Sequence, residues 1–138
     1  MYASLRAACL YASLVFAAGF VLGTVRTLWI APALGHTLAV AAELPLMLAW
    51  SWVACGLAIA RTHIPPVASR RIVMGAAALT LLLLAELLLA VTLGGVTPSE
   101  YAASYRTLPV QLGLAGQVLF ALMPLLRHRR ISARTACT

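Results

Sequence analysis

Three ionisable side chains lie inside long apolar stretches of this sequence and are the residues best placed to do chemistry. Arg26, Glu43 and Glu86 are each surrounded by Leu, Val, Ala and Phe. Ionisable groups are rare in hydrocarbon because they are costly there, and those present usually mark proton, ion or substrate sites or pair with one another. A carboxyl group that exchanges protons within the membrane is what a proton-coupled or cation site requires.

The composition indicates that the bilayer is the solvent of this chain. Of its 138 residues, 63% are hydrophobic and only 9% are charged, and the mean hydropathy is +0.99. A soluble domain carries about 25% charged residues and covers its surface with them. The net charge of +7 does not predict a nucleic-acid partner, because the cations punctuate the apolar runs and so serve membrane topology.

Four apolar segments, each close to the ~20 residues that span the hydrocarbon, predict a single all-α transmembrane four-helix bundle over residues 1–138. A short interfacial helix is predicted at 98–105, because Thr97 and Glu100 form a capping-box pattern around Pro98. The predicted spans are 8–30, 37–60, 72–93 and 108–126.

The arginines predict the orientation. Two of the ten arginines, Arg26 and Arg106, fall on one side of the predicted spans. The positive-inside rule therefore places both termini in the cytoplasm of a bacterial inner membrane. Next to the last span, Arg127, Arg129 and Arg130 serve as a topology anchor, bind anionic lipid headgroups at ~1 kcal/mol each, or do both. The eight on the other side are Arg6, Arg61, Arg70, Arg71, Arg127, Arg129, Arg130 and Arg134.

Depth predicts that the intramembrane charges share one layer in the outer half. At ~1.5 Å per residue, Arg26, Glu43 and Glu86 lie ~6, ~9 and ~10 Å below the outer ends of their helices. Pairing Arg26 with Glu43 would reduce the free-energy cost of placing both charges in hydrocarbon. The pair then sets the helix register, or Arg26 instead extends outward to the interface. Glu86 is then left over, to titrate or to donate a hydrogen bond across the bundle. Gln111 and Gln117 on the fourth helix complete the candidate polar site.

Small residues at helical spacing predict which faces pack. Glycines three or four residues apart allow close helix approach, and Arg26 shares its face with two of them. A proline beside Glu43 removes a backbone hydrogen bond and is expected to kink the second helix. The predicted packing positions are Gly19, Gly23, Pro45, Gly113 and Gly116.

No metal, cofactor or catalytic group is predicted. The three cysteines are far apart, which disfavours a zinc site or a thiol–disulfide enzyme; Cys9 and Cys55 are expected to be packing residues. Haem in a bundle needs histidines facing each other in the core, whereas the histidines here fall at helix ends or in loops. The sequence contains no phosphate-binding loop, nucleophile elbow or H-E-x-x-H motif.

Three segments resemble an uncharacterised family of small bacterial four-span inner-membrane proteins, which implies the fold but no activity. They are Phe20-Val-Leu-Gly-Thr-Val-Arg26, Glu43-Leu-Pro-Leu-Met-Leu48 and Leu119-Phe-Ala-Leu-Met-Pro-Leu125. The acid-then-proline segment also resembles four-span membrane enzymes of glutathione and eicosanoid metabolism. The Arg and Asn that accompany the acid in those enzymes are missing near Glu43.

Three function classes are compatible with these features. The leading one is a non-enzymatic accessory or scaffold protein of the membrane, favoured by the short loops and by the lack of a soluble domain. The second is a small proton- or cation-linked transporter or channel that uses the polar site in the outer half. Four spans leave little room for a pathway, so transport predicts a homo-oligomer or a larger membrane complex. An integral-membrane enzyme is the third class.

Overall fold

Four long helices form a bundle in the computed structural model, which describes the backbone of residues 2–135 and the side chains of residues 2–127. Within that part of the chain every regular element is helical. The first span comprises three consecutive helical pieces, and a short distal helix, Pro98–Ser104, precedes the fourth span. The pieces of the first span are Tyr2–Val25, Arg26–Ile30 and Ala31–Leu34; the second, third and fourth spans are His36–Thr62, Ala68–Thr92 and Leu108–Thr135.

All four helices are long and apolar enough to cross a membrane, which confirms the predicted all-α, four-span fold. All four spans extend beyond their predicted bounds: the first begins at Tyr2, the second runs from His36 to Thr62, the third begins at Ala68, and the fourth runs to Thr135. The reason is physical. Hydropathy detects only the part of a helix that lies in hydrocarbon, whereas the helix continues through the interface, where polar side chains are hydrated.

The spans are arranged so that consecutive helices are not always neighbours. The first span packs along the second and third, and the fourth span also packs along the second and third. First and fourth therefore face each other across the bundle. We call the end with Tyr2 and the loop at 63–67 the terminal end, and the end with Gly35 and the distal helix the distal end.

The terminal half has a tightly packed core. Alanines on the first three spans are buried, which lets the helices approach closely. Tyr11 crosses from the first span to the fourth. Its ring stacks on Phe120 with centroids 4.2 Å apart, and its hydroxyl donates to the Phe120 carbonyl at 3.0 Å. The buried alanines are Ala7, Ala8, Ala12, Ala54, Ala58 and Ala78.

The distal part of the first span is wider than an α-helix. The N–H of Ala31 donates to the carbonyl of Arg26, five residues back, so the backbone makes a π-helical turn. Pro32 lies inside the helical span, near the start of the next α-helical turn, where its missing N–H costs little. The helix ends at Gly35, whose φ of 81° is a conformation that favours glycine.

The distal helix begins with the predicted capping box. The N–H of Glu100 donates to the Thr97 hydroxyl at 3.3 Å, and the N–H of Thr97 donates to the Glu100 carboxylate at 2.8 Å. Hydrogen bonds from the Thr97 side chain and backbone lower the pKa of the Glu100 carboxyl. The structural role predicted for Glu100 is thereby confirmed.

The predicted packing glycines divide into two groups. Gly116 lies against Leu44, and Gly19 lies against Met47, so both are close contacts between helices. By contrast, a Cβ added to Gly113 would meet open space, and one added to Gly23 would approach only Arg26. These two glycines line a cavity instead of a helix–helix contact, so the packing role predicted for them is wrong.

Pro45 is exposed on the second span, which runs unbroken from His36 to Thr62, so its predicted packing role is also wrong. The closest approach among the glycines of the third and fourth spans is at Gly75. A Cβ there would collide with the backbone carbonyl of Ala121.

We expect Gly75→Ala to lower the free energy of unfolding by about 1–3 kcal/mol, because the added methyl group overpacks a backbone contact. Gly113→Ala is the matched control and should leave stability unchanged or slightly raised. Cooperative unfolding of the purified protein in mixed micelles measures both variants. Equal stability of the two variants would contradict the close approach of the third and fourth spans at Gly75.

Candidate functional site: a polar cavity at the distal end

A cavity of about 630 Å³ opens between the four spans in the distal half of the bundle. Its floor is apolar apart from the buried Ser51, and its middle level holds two acids, a cation and an amide. Each span contributes an apolar floor residue and a polar residue. Along every span, the floor residue lies three to ten residues closer to the terminal end than the polar residue does. The cavity therefore changes from polar to apolar with depth. The floor includes Phe16, Leu48, Leu82 and Phe120; the polar level comprises Arg26, Glu43, Glu86 and Gln117.

The ion pair predicted between the first two spans is present in this cavity. Nη1 of Arg26 donates to Oε2 of Glu43 at 2.8 Å, and the two side chains are 26% and 11% exposed. Arg26 is the first residue of the π-helical turn, so the pair forms where the backbone of the first span widens. Nε of Arg26 is buried and has no hydrogen-bond acceptor among the described residues.

Glu86 was expected to be left over, but the fourth span supplies it with a partner. Nε2 of Gln117 donates to both carboxylate oxygens of Glu86, at 2.7 Å each. Glu86 therefore accepts a hydrogen bond from another span. From the sequence, it was expected either to titrate or to donate such a bond. Arg26 and Glu86 line the same cavity, so the charge of Arg26 also acts on the Glu86 carboxylate.

The mouth of the cavity is formed by residues that were not predicted to belong to the site. His36 lines it from the start of the second span, and Tyr101, Ser104 and Tyr105 line it from the distal helix and its end. The hydroxyl of Tyr105 donates to that of Tyr101 at 3.2 Å. Burial raises the pKa of Tyr101, and the neighbouring Tyr105 and Glu86 raise it further, so its hydroxyl stays protonated.

Gln111 was predicted to belong to the polar site, and the structure contradicts this. Its side chain is exposed outside the cavity, and its amide makes only a long hydrogen bond to the carbonyl of Tyr105, at 3.4 Å. The physical reason is helical phase. Gln111 and Gln117 are six residues apart, which turns them about 240° from each other around the helix. Gln117 and Gly113, four residues apart, face the cavity together.

The arginines expected at lipid headgroups are only partly described. Arg127 turns inward: its guanidinium lies 4.6 Å from the centre of the Trp52 ring and donates to the Trp52 carbonyl at 2.8 Å. Arg127 therefore packs against the second span, while its predicted anchoring and binding of lipid headgroups stay predictions. The side chains of Arg129 and Arg130 lie outside the described part of the chain. The two other packing predictions differ in outcome, because Cys55 is buried whereas Cys9 is exposed.

No protein-family model, curated protein or solved structure matches this chain. The fold and the site therefore define a class: a multi-pass, all-helical protein of four spans. Among the described residues, the distal half of the bundle encloses a cavity that is lined by charged and amide groups from all four spans.

The contact between Arg26 and Glu43 is testable by a double-mutant cycle. Arg26→Leu should destabilise the bundle, because it leaves two carboxylates in the cavity without their cation. Arg26→Leu/Glu43→Leu should be less destabilised than the sum of the two single variants, with a coupling free energy of about 0.5–3 kcal/mol. Unfolding in mixed micelles gives the three values. Strict additivity would mean that the pair contributes nothing to stability.

Proposed function

We propose that this chain is a bacterial inner-membrane protein with both termini in the cytoplasm. In its distal cavity it binds a small amphipathic molecule that carries a cationic or hydrogen-bond-donating group. We further propose that proton- or cation-linked transport is the function this site serves. The observation that carries the proposal is that the Arg26–Glu43 and Glu86–Gln117 pairs line one cavity of about 630 Å³.

The charges in the cavity support a cationic or donating ligand. Two carboxylates, those of Glu43 and Glu86, face a single guanidinium, that of Arg26. With both acids ionised the site has one negative charge in excess, and a ligand cation or a bound proton would neutralise it. Gln117 supplies one amide donor to Glu86, which leaves acceptor capacity on the carboxylate.

Shape and polarity support an amphipathic ligand. Sites for small molecules are commonly cavities of about 300–1,000 Å³ with mostly apolar walls and a few placed polar groups. Here the apolar floor of Phe16, Leu82 and Phe120 would receive the apolar part of the ligand. The buried Nε of Arg26, which no described residue satisfies, would receive an acceptor atom of the ligand.

The distribution of arginines supports the orientation. Five arginines with described side chains lie in the terminal half, and that half contains no acidic residue among those described. The positive-inside rule puts such an end in the cytoplasm, so the distal cavity would open on the outer side. Four spans give little room for a continuous path, and transport through this fold would require association of several copies. The five are Arg6, Arg61, Arg70, Arg71 and Arg127.

We expect Glu86→Gln to reduce ligand recovery at least about tenfold, which corresponds to one charge-assisted hydrogen bond of ~1.4 kcal/mol. The full chain is purified from native membranes in mild detergent, and the small molecules that accompany it are identified by mass spectrometry. Glu100→Gln is the matched control: it makes the same change on an exposed acid, and Gln retains the capping box. In proteoliposomes, proton or cation flux should follow the same order.

Two outcomes would contradict the proposal. One is that wild-type protein carries no small molecule. The other is that Glu86→Gln carries as much of it as Glu100→Gln does. Recovery of a stable protein complex with an unoccupied cavity would instead favour the accessory or scaffold class, which makes no use of the four polar groups.

A further inference from the structure

Two guanidinium groups lie inside the terminal half of the bundle, far from the distal cavity. Arg71 on the third span is 1% exposed, and Arg127 on the fourth span is partly buried. Both belong to the set of topology-determining charges, which ordinarily reach out to water or headgroups. The distal site does not explain their inward positions, and the proposed transport function does not depend on them.

Arg71 has buried donors without acceptors. Its Nη2 donates to the carbonyl of Ile64, in the loop between the second and third spans, at 3.3 Å. Its Nε and Nη1 are also buried, and neither has a hydrogen-bond partner among the described residues. A guanidinium offers five N–H donors in a planar fork that matches carboxylate and phosphate oxygens. Most of that fork is unused here.

Arg127 reaches the same region from another direction. Its guanidinium lies over the Trp52 ring and is packed so closely against Gly56 that a Cβ on Gly56 would collide with it. Its Nη2 bonds the Trp52 carbonyl, while its buried Nε has no acceptor among the described residues. Glycine at position 56 thus makes room for a cation inside the bundle.

The two cations converge. Arg127 packs against Gly56, the neighbour of the buried Cys55, and Arg71 and Arg127 lie close enough for their charges to repel each other. Two like charges held near each other away from water repel, and the arrangement is unfavourable unless an anion accompanies them.

No side-chain carboxylate of this chain can serve as that anion. The sequence has three acidic residues, and all are committed in the distal half. Glu43 precedes Cys55 by 12 residues on the second span, a separation of ~18 Å. Glu86 follows Arg71 by 15 residues on the third span, a separation of ~22 Å.

We propose that Arg71 and Arg127 form an anion-binding site at the terminal end of the bundle that takes a phosphate group. The phosphate belongs either to the headgroup of an anionic lipid or to free inorganic phosphate, because both present the oxygens that guanidinium groups bind in pairs. Basic pockets between transmembrane helices bind lipid headgroups in this way. The partly exposed Arg127 is the point of entry, and the unused Nε and Nη1 of Arg71 are the inner donors.

The test compares three probes on the full chain, delipidated in a neutral detergent. Phosphatidylglycerol, phosphatidylcholine and inorganic phosphate are titrated separately, and binding is followed by native mass spectrometry and by the unfolding midpoint. Wild type should bind phosphatidylglycerol at least tenfold more tightly than phosphatidylcholine. Displacement of that lipid by inorganic phosphate identifies the phosphate group alone as the ligand; a lack of displacement identifies the lipid headgroup.

Matched variants locate the site. Arg71→Gln should weaken phosphatidylglycerol or phosphate binding at least tenfold, whereas Arg70→Gln, the same change on its exposed neighbour, should leave binding unchanged. Because loss of a buried group can prevent folding, Arg127→Gln provides a second variant with the same expected loss. Equal binding by Arg70→Gln and both inward-facing variants, or no anion preference in wild type, would overturn the proposal.

Discussion

The cost of placing charge in hydrocarbon governs this molecule more than any other interaction. A bundle of apolar helices gains little by excluding lipid, so each buried ionisable group must be compensated by another group with suitable geometry. In the distal half the chain supplies that compensation itself, through Arg26 with Glu43 and Glu86 with Gln117. In the terminal half no described acidic residue accompanies Arg71 and Arg127, and in our proposal a bound phosphate group supplies the compensation there.

The two halves also differ in how their helices pack, and this difference places the cavity. Buried alanines and the Tyr11–Phe120 stack draw the spans together in the terminal half. Toward the distal end, the π-helical turn at Arg26 widens the first span, and Gly113 leaves open space beside the polar groups. The closely packed terminal half holds the four spans together, so the distal half can enclose a cavity without being tightly packed itself.

Much of this fold could be predicted from sequence because its determinants are local. The length of each apolar segment predicts a span, and the Thr97–Glu100 capping box depends on two residues three positions apart. The Arg26–Glu43 pair could be predicted because the depth of each residue follows from its position along its own helix, and the two helices are adjacent in the sequence. Gln111 was misassigned because depth was considered without helical phase. The partnership of Glu86 with Gln117 needed the lateral order of the helices, which hydropathy does not contain.

The inward position of Arg127 was not predictable for a similar reason. Counting arginines treats each as a charge at a helix end, whereas its direction depends on Trp52 and Gly56 of a different span. The residues at the mouth of the cavity could not be predicted from local sequence patterns either. Tyr101 and Tyr105 were expected at the interface, but nothing in the local pattern says which opening the distal helix covers.

Accessibility of the distal cavity from outside the cell is the property to measure most directly. In a chain whose cysteines are replaced by alanine, Gly113→Cys introduces a thiol into the cavity, and Ala115→Cys introduces one on the exposed side of the same helix turn. A membrane-impermeant thiol reagent added to intact cells should label Gly113→Cys and spare Ala115→Cys. Failure to label Gly113→Cys from outside, or equal labelling of both, would contradict a cavity that opens on the outer side.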